Sequence, residues 1–213
     1  MFGFLTGHES TWLPAALQLL RDELPGAHVV VSSQVSPHLA VAISGGRMDA
    51  AFLRREEGAS DLEFRLLAKE PLEVFMRNDR RLAAMSEIDP KELIGETFIS
   101  VSGKALSGKG TAPALRVAID RYLIDCGLHI KPSHEVDNLA GAMSLIDSTH
   151  GVALLPIYAK NLLSGPVTSR PLVGETPTSD LCLGFKKTNE SPLLKHLLSR
   201  LDELISRASS GTR

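Results

Sequence analysis

The stretch HGVALLP at 150–156 contains four consecutive apolar residues, a run too short for a helix, and it closes with a proline. Just upstream, residues 137–149 place apolar side chains three and four positions apart, which is one face of a helix. These side chains are Leu139, Ala142, Met143 and Ile146. Gly151 is expected to stop that helix, and Pro156 is expected to end the strand. The stretch therefore predicts a helix followed by a short buried strand.

The same alternation runs through the first third of the chain. Strands are predicted at FGFL (2–5), at HVVVS (28–32, as a buried strand) and at MDAAFL (48–53). One helix begins at Ser10 or Thr11, and a second has Ser36 as its N-cap with Pro37 in the first helical position. This β-α-β-α-β order with short links predicts a parallel sheet with right-handed crossovers.

A second series of the same kind follows residues 62–76. Strands are predicted at 97–101 and 132–136, with a helix from about Ala112 to Asp125 between them. The helix and strand around HGVALLP complete this series. The chain is therefore expected to form two α/β lobes, and ligands of such open sheets bind at the carboxyl ends of the parallel strands.

Charge and hydropathy exclude several classes of protein. Lysine and arginine number 23 and aspartate and glutamate 25, so the net charge is −2, which argues against DNA binding by this segment. The hydrophobic content is 43%, and no apolar run approaches the length that crosses a bilayer. The first ten residues, MFGFLTGHES, lack the features of a signal peptide. We therefore expect a cytoplasmic protein without a membrane partner.

The motifs of common enzymes, metal sites and cofactor sites are missing. No G-x-S-x-G, H-E-x-x-H or C-x-x-C occurs, and Cys126 and Cys182 are expected to be packing thiols. The segment GKALSGKG (103–110) begins like a P-loop, but Gly110 stands where a P-loop needs serine or threonine to hold Mg²⁺. The sequence predicts no metal, no cofactor and no enzymatic activity.

Small polar residues recur where a predicted strand ends or a helix begins. Helix N-termini carry unpaired N–H groups and the positive end of the helix dipole, so they suit carboxylates. Ordinary helix capping without any ligand is the alternative for each residue. Because such positions occur in both lobes, we predict that they line one cleft. The candidate effector-binding residues are Gly7, His8, Ser36, Ser100, Ser102, Asn138 and Leu139.

The order of these elements resembles the effector-binding domain of LysR-type transcriptional regulators over nearly the whole chain. The segments that carry the resemblance are FGFLTGHESTWLPAALQLLRDELPGAHVVV, ISGGRMDAAFLR, EPLEVFM, FISV, HGVALLP and SPLLKHLLSRLDEL. FISVSGKALSG and VGETPTSDLCLGFKK are similar to the branch that senses aromatic carboxylates. The chain departs from the family at 148–151, where the usual run with two glycines is replaced by Ser-Thr-His-Gly.

The resemblance implies two Rossmann-like lobes of the type 2 periplasmic-binding-protein class, joined by two crossover segments. Lobe I would comprise 1–70 and 178–213, and lobe II 71–177. It also implies a homodimer in which helix 11–24 of one chain packs antiparallel beside helix 112–125 of the other. The family's N-terminal winged helix-turn-helix is absent from this chain, so DNA binding and tetramer formation would belong to the full-length protein.

The function implied is that of a sensor, in which a small organic acid, aromatic or unsaturated, binds between the lobes to control transcription. Arg54 and Glu70 would form a charge pair near this cleft, as the same residues do in benzoate-responsive relatives; two unrelated surface charges are the alternative. A transport-linked solute-binding protein of the same fold is the rival function, and it would need an export signal or a lipid anchor. An enzyme on this fold is a third possibility.

Overall fold

The computed structural model describes residues 1–23, 26, 28–101, 113–163 and 165–210, which fall into two units. Unit 1 comprises Met1–Lys69 and Asp180–Arg213, and unit 2 comprises Glu70–Ser179. The strands are β1 (Phe2–Leu5), β2 (Val31–Gln34), β3 (Ala50–Leu53), β4 (Leu62–Arg77), β5 (Ile99–Val101), β6 (His134–Val136), β7 (Ala153–Pro156), β8 (Val167–Pro171) and β9 (Thr178–Lys186). The α-helices are α1 (Glu9–Glu23), α2 (Ser36–Ser44), α3 (Ala114–Asp125), α4 (Leu139–Thr149), α5 (Pro192–Ser199) and α6 (Leu201–Ser210). Short 3-10 helices occupy Arg81–Ala84, Pro90–Leu93 and Ile157–Leu162.

Unit 1 is built on a sheet with the strand order β2-β1-β3-β9, followed by β4. β1 is parallel to β2 and to β3, whereas β9 is antiparallel to β3. Helices α1, α5 and α6 cover one face, where Phe4 and Phe52 stack with their ring centroids 4.5 Å apart. Helix α2 covers the opposite face and buries Leu39 and Ile43. Two apolar layers therefore enclose this sheet, one on each side.

Unit 2 repeats this arrangement with other strands. β5 is parallel to β6, and it joins β7 through a hydrogen bond of 2.8 Å from the Ile99 N–H to the Val152 carbonyl. β4 is antiparallel to both β7 and β8. Helix α3 buries Ile119 and Leu123 on one face, and helix α4 buries Met143 on the other.

In both units the first strand lies between the other two. In unit 1, β1 lies between β2 and β3, and in unit 2, β5 lies between β6 and β7. The orders are β2-β1-β3 in unit 1 and β6-β5-β7 in unit 2. The chain therefore moves to one side of the sheet after the first strand and to the opposite side after the second. This reversal creates a topological switch point at the carboxyl end of the first strand. We call the edge where the parallel strands of a unit end its carboxyl edge. Each unit has such an edge. Its switch point lies between β1 and β3 in unit 1 and between β5 and β7 in unit 2.

The strand that follows α1 differs from the prediction. It runs over Val31–Gln34 rather than 28–32, and it is not buried, since Val30 is 43% and Val31 38% exposed. β1 is its only neighbour among the described strands, so β2 is an edge strand whose side chains are only partly covered. Three apolar residues in a row predicted burial because composition alone does not distinguish an edge strand from a central one.

The helix and strand around HGVALLP form as predicted, but the helix stop is different. The predicted apolar face of α4 is buried, and β7 follows it. Helix α4 ends at Thr149, and the φ of 55° at its C-cap, His150, lies in the left-handed region that glycine usually occupies. Gly151 does not stop the helix. Its role is to avoid a steric clash, because a Cβ at this position would lie 2.6 Å from the Thr97 carbonyl oxygen.

Candidate functional site

The carboxyl edge of unit 1 includes Gly7 and His8, which follow β1 after one intervening residue, Thr6. Gly7 adopts a φ of 97°, and its N–H donates to the Glu9 carboxylate at 2.6 Å. Glu9, in the first turn of α1, also accepts a hydrogen bond from the Ser33 hydroxyl. His8 is 2% exposed, and its carbonyl accepts the first helical hydrogen bond, from the Trp12 N–H at 3.0 Å. The start of α1 therefore already holds one carboxylate of the chain itself.

Ser36 lies on the same edge, but it does not cap a helix as predicted. Helix α2 begins at Ser36 itself, and Val35 occupies the cap position without a side-chain hydrogen bond. The Ser36 side chain is 3% exposed, and its Oγ accepts a hydrogen bond of 3.0 Å from the backbone N–H of Arg54. Because Arg54 is the residue after β3, this bond joins the start of α2 to the switch point of unit 1.

Unit 2 places Ser100 in β5, where it is 2% exposed. Its Oγ accepts a hydrogen bond from Nη1 of Arg116 at 2.6 Å. Nε of the same arginine donates to Asp120 at 2.6 Å, and Nη1 lies 3.8 Å from the Glu135 carboxylate. The sequence reasoning missed Arg116. An arginine in the first turn of a helix, where the dipole disfavours a cation, was the available signal that it has a specific partner.

Asn138 and Leu139 lie at the start of α4, as predicted. The Asn138 Oδ1 accepts a hydrogen bond from the Gly141 N–H at 2.8 Å, and its Nδ2 donates to Asp137 at 2.6 Å. This amide therefore acts as an ordinary helix cap. Leu139 is 8% exposed and packs in the core beneath α4. Ser102 and the segment 103–110 lie outside the described residues.

Ser36 and Ser100 share a hydrogen-bonding arrangement. A serine hydroxyl has one proton to donate and two lone pairs, and in both residues an N–H group already occupies a lone pair. Within the part of the chain that the structure describes, neither hydroxyl donates to a protein acceptor. Buried polar groups are normally satisfied, so each serine presents an O–H that suits an external acceptor.

Arg54 and Glu70 are both buried, with exposures of 4% and 7%. Arg54 follows β3 in unit 1, and Glu70 is the first residue of unit 2, within β4. Their pairing stays a prediction.

Next to Arg54 in the fold is a buried thiol. Cys182 on β9 lies opposite Leu53, the last residue of β3. Burial, with a smaller contribution from the nearby Asp180, raises the pKa of the Cys182 thiol to about 11, although Arg55 and Arg54 act in the opposite direction. The thiol is therefore protonated at neutral pH and serves as a packing group, as predicted for this cysteine.

Among the described residues, no group of three or more histidine, cysteine, aspartate or glutamate side chains could hold a metal ion. None of the helices in the described part of the chain combines the length and the hydrophobicity that a membrane crossing requires.

Comparison with known proteins identifies the family. The model of the LysR substrate binding domain matches residues 2–205. The chain belongs to this family. The two-lobed α/β fold of the periplasmic-binding-protein type, with two crossover segments, is thereby confirmed.

The relatives of this LysR domain are transcriptional regulators. The Hca operon transcriptional activator HcaR of Escherichia coli (strain K12) is 24% identical over 208 residues, which are 98% of this chain and 68% of HcaR. Other curated relatives are matched over 64% and 50% of their length, so the chain spans one half to two thirds of these proteins.

Two solved structures with the same fold contain small molecules. The effector-binding domain of BenM with its effector benzoate has a TM-score of 0.79 and 20% identity, over 100% of this chain and 93% of that chain. The effector-binding domain of QuiR in complex with shikimate has a TM-score of 0.79 and 17% identity, over 98% of this chain and 96% of that chain.

Proposed function

We propose that this LysR domain senses a small organic anion, an aromatic or unsaturated carboxylate. The effector would bind between the two lobes, at the carboxyl edges, and would change their relation. In the whole protein this change would alter the placement of DNA-binding domains and so control transcription. The residues proposed to contact the effector are Gly7, His8, Ser36, Ser100, Ser102, Asn138 and Leu139.

The pair of buried serines carries this proposal. Each has an N–H donor on its oxygen, and within the described residues its own proton has no protein acceptor. A carboxylate has acceptor oxygens only, and hydrogen bonds to a charged group are about twice as strong as those between neutral groups. One such serine stands at the carboxyl edge of unit 1 and the other one residue before the end of β5 in unit 2, so both favour the same ligand chemistry.

The relatives support the same class of ligand. Benzoate and shikimate, which are bound by BenM and QuiR, each carry one carboxylate on a six-membered carbon ring. HcaR and the other curated relatives are named as transcriptional regulators, which favours a regulator over a transport-linked solute-binding protein and over an enzyme.

We further propose that two copies of the domain pair through α1 of one copy and α3 of the other, in antiparallel orientation. Apolar side chains remain exposed at Val30 and Val31, where the edge strand after α1 begins, by 43% and 38%, and at Val117 and Ile124 on α3, by 38% and 58%. Covering such surface in a symmetric dimer is the usual solution. A tetramer, and DNA binding through a winged helix-turn-helix outside these residues, would belong to the whole protein.

Calorimetric titration of the domain tests the proposed ligand class. Benzoate, shikimate and 3-phenylpropionate are titrated into the wild type, with benzamide as the neutral analogue of benzoate. At least one carboxylate should bind, and benzamide should bind more weakly or not at all. Binding of benzamide as tight as that of benzoate would contradict a carboxylate site.

The role of Ser36 is tested with the carboxylate that binds best. Ser36→Ala should weaken binding about fivefold or more, since losing a hydrogen bond to a charged group costs at least ~1 kcal/mol. Ser199→Ala is the matched control, because that exposed serine bonds to the His196 carbonyl at the end of α5. Equal affinities of the two variants would count against Ser36 as a contact.

A further inference from the structure

We propose that Arg116 is a positioning residue for effector binding. It fixes the Ser100 hydroxyl so that its proton points away from the guanidinium and toward the effector's carboxylate. This inference rests on the proposed function and names a residue that the sequence patterns did not include.

The geometry restricts what Ser100 can do. The guanidinium of Arg116 donates to Ser100 Oγ at 2.6 Å, and a guanidinium has no acceptor atom. The hydroxyl therefore cannot donate to Arg116. With Arg116 in place, Ser100 acts toward the carboxyl edge as a donor, which matches a carboxylate oxygen.

Arg116 is itself held in position from two sides. Asp120, one turn further along α3, accepts from Nε at 2.6 Å, and Glu135 on the neighbouring strand β6 lies 3.8 Å from Nη1. The arginine side chain is 17% exposed. Because two carboxylates already balance its charge, Arg116 acts on the effector through Ser100 rather than as a free cation.

In both units a nitrogen donor occupies the serine oxygen, but the donor is a backbone group in one unit and a side chain in the other. In unit 1 the Ser36 oxygen is occupied by the backbone N–H of Arg54, which no side-chain substitution removes. In unit 2 the equivalent donor is the side chain of Arg116. The orientation of Ser100 can therefore be changed by mutation while the serine itself stays in place.

The experiment measures affinity by calorimetry, for whichever of benzoate, shikimate and 3-phenylpropionate binds the wild type best, in Arg116→Gln, Ser100→Ala and the double variant. If Arg116 acts by orienting Ser100, each single variant should lose about tenfold in affinity, and the double variant should lose no more than Ser100→Ala alone. Arg116→Lys keeps a group that only donates and should stay within about threefold of the wild type. The losses should also persist from low to high salt, because a direct hydrogen bond is screened far less than a distant charge.

Arg121→Gln is the matched control, since it removes the same charge from the same helix at a side chain that is 83% exposed. Thermal unfolding of each variant shows whether it is folded. If Arg116→Gln does not fold, Arg116→Lys is used in its place. Additive losses, or an Arg116→Gln affinity equal to that of Arg121→Gln, would overturn the positioning role. If Ser36→Ala still weakens binding in that case, the proposed function stands, whereas a wild type that binds none of benzoate, shikimate and 3-phenylpropionate refutes both.

Discussion

Glu73 on β4 accepts a hydrogen bond of 2.8 Å from the ammonium of Lys160, which lies in the 3-10 helix after β7. The second oxygen of Glu73 accepts from the Ser169 hydroxyl on β8 at 2.6 Å. Glu73 is 6% exposed, so this carboxylate depends on its two partners. The ion pair and the serine hydrogen bond together join three parts of unit 2, namely β4, the 3-10 helix at Ile157–Leu162 and β8.

Removing the ammonium should therefore destabilise unit 2. Lys160→Met is expected to lower the free energy of unfolding by about 1–2 kcal/mol, less than for a fully buried pair because the Lys160 side chain is 42% exposed. Lys91→Met, at an exposed lysine of the same unit, is the control and should change it by no more than ~0.5 kcal/mol. Urea unfolding measures both, and equal midpoints would show that Glu73 does not need Lys160.

The backbone of His150 is in a conformation that is unfavourable for histidine but favourable for glycine. Its φ of 55° is left-handed, so His150→Gly should raise the free energy of unfolding by about 0.5–1 kcal/mol, and His150→Val should lower it by ~1 kcal/mol or more. Ser148→Gly, inside α4, should have the opposite sign to His150→Gly, because glycine is unfavourable within a helix. A loss of stability in His150→Gly would mean that the histidine side chain stabilises this turn.

Cys182 should make the protein sensitive to alkaline pH. Its folded pKa of about 11 lies above the ordinary value of about 8.5, so its contribution to stability is complete below pH ~8.5 and is lost as the pH rises toward 11. The loss should amount to about 1.4 kcal/mol per pH unit within that window. Unfolding of the wild type and Cys182→Ala between pH 7 and 11 measures it, and the variant should lack this decline. Parallel pH profiles would contradict the raised pKa.

Arg54 and Glu70 are predicted to couple energetically when the effector binds. A double-mutant cycle on benzoate affinity with Arg54→Met and Glu70→Gln should show effects that do not add, because a buried arginine–carboxylate pair is strengthened by low screening and bidentate geometry. Both side chains have the burial that this requires. Additive effects would mean that the two charges act independently.

The proposed dimer is tested at Ile124, which is 58% exposed on α3. The wild-type domain should sediment as a dimer at micromolar concentration, and Ile124→Glu should shift it toward monomer by placing a charge in an apolar interface. Ile94→Glu is the control, at an isoleucine of unit 2 that is 65% exposed but lies outside α3. A wild type that stays monomeric throughout this range would argue for the transport-linked alternative.

The sequence predicted those parts of the fold in which local pattern and burial agree. The apolar spacing in α4 and the apolar run of β7 both lie in the core, so their periodicity was informative. β2 was misplaced because Val30 and Val31 have strand propensity without burial, a property that depends on neighbours distant in sequence. The hydrogen bond of Ser36 could not be predicted either, because its donor, the Arg54 N–H, lies 18 residues later in the sequence.

The path of the chain has a consequence for synthesis on the ribosome. Unit 2 is one continuous segment, Glu70–Ser179, whereas unit 1 needs Asp180–Arg213 as well as Met1–Lys69. Its core includes Leu183 on β9 and Leu197 on α5, which pack with residues of β1 and α1. The part of unit 1 that is translated first therefore waits, with apolar surface uncovered, until more than a hundred later residues have emerged (unit 2 alone is about 110 residues). Unit 2 can close during that interval, so the half of the fold that is translated second can be the first to become stable.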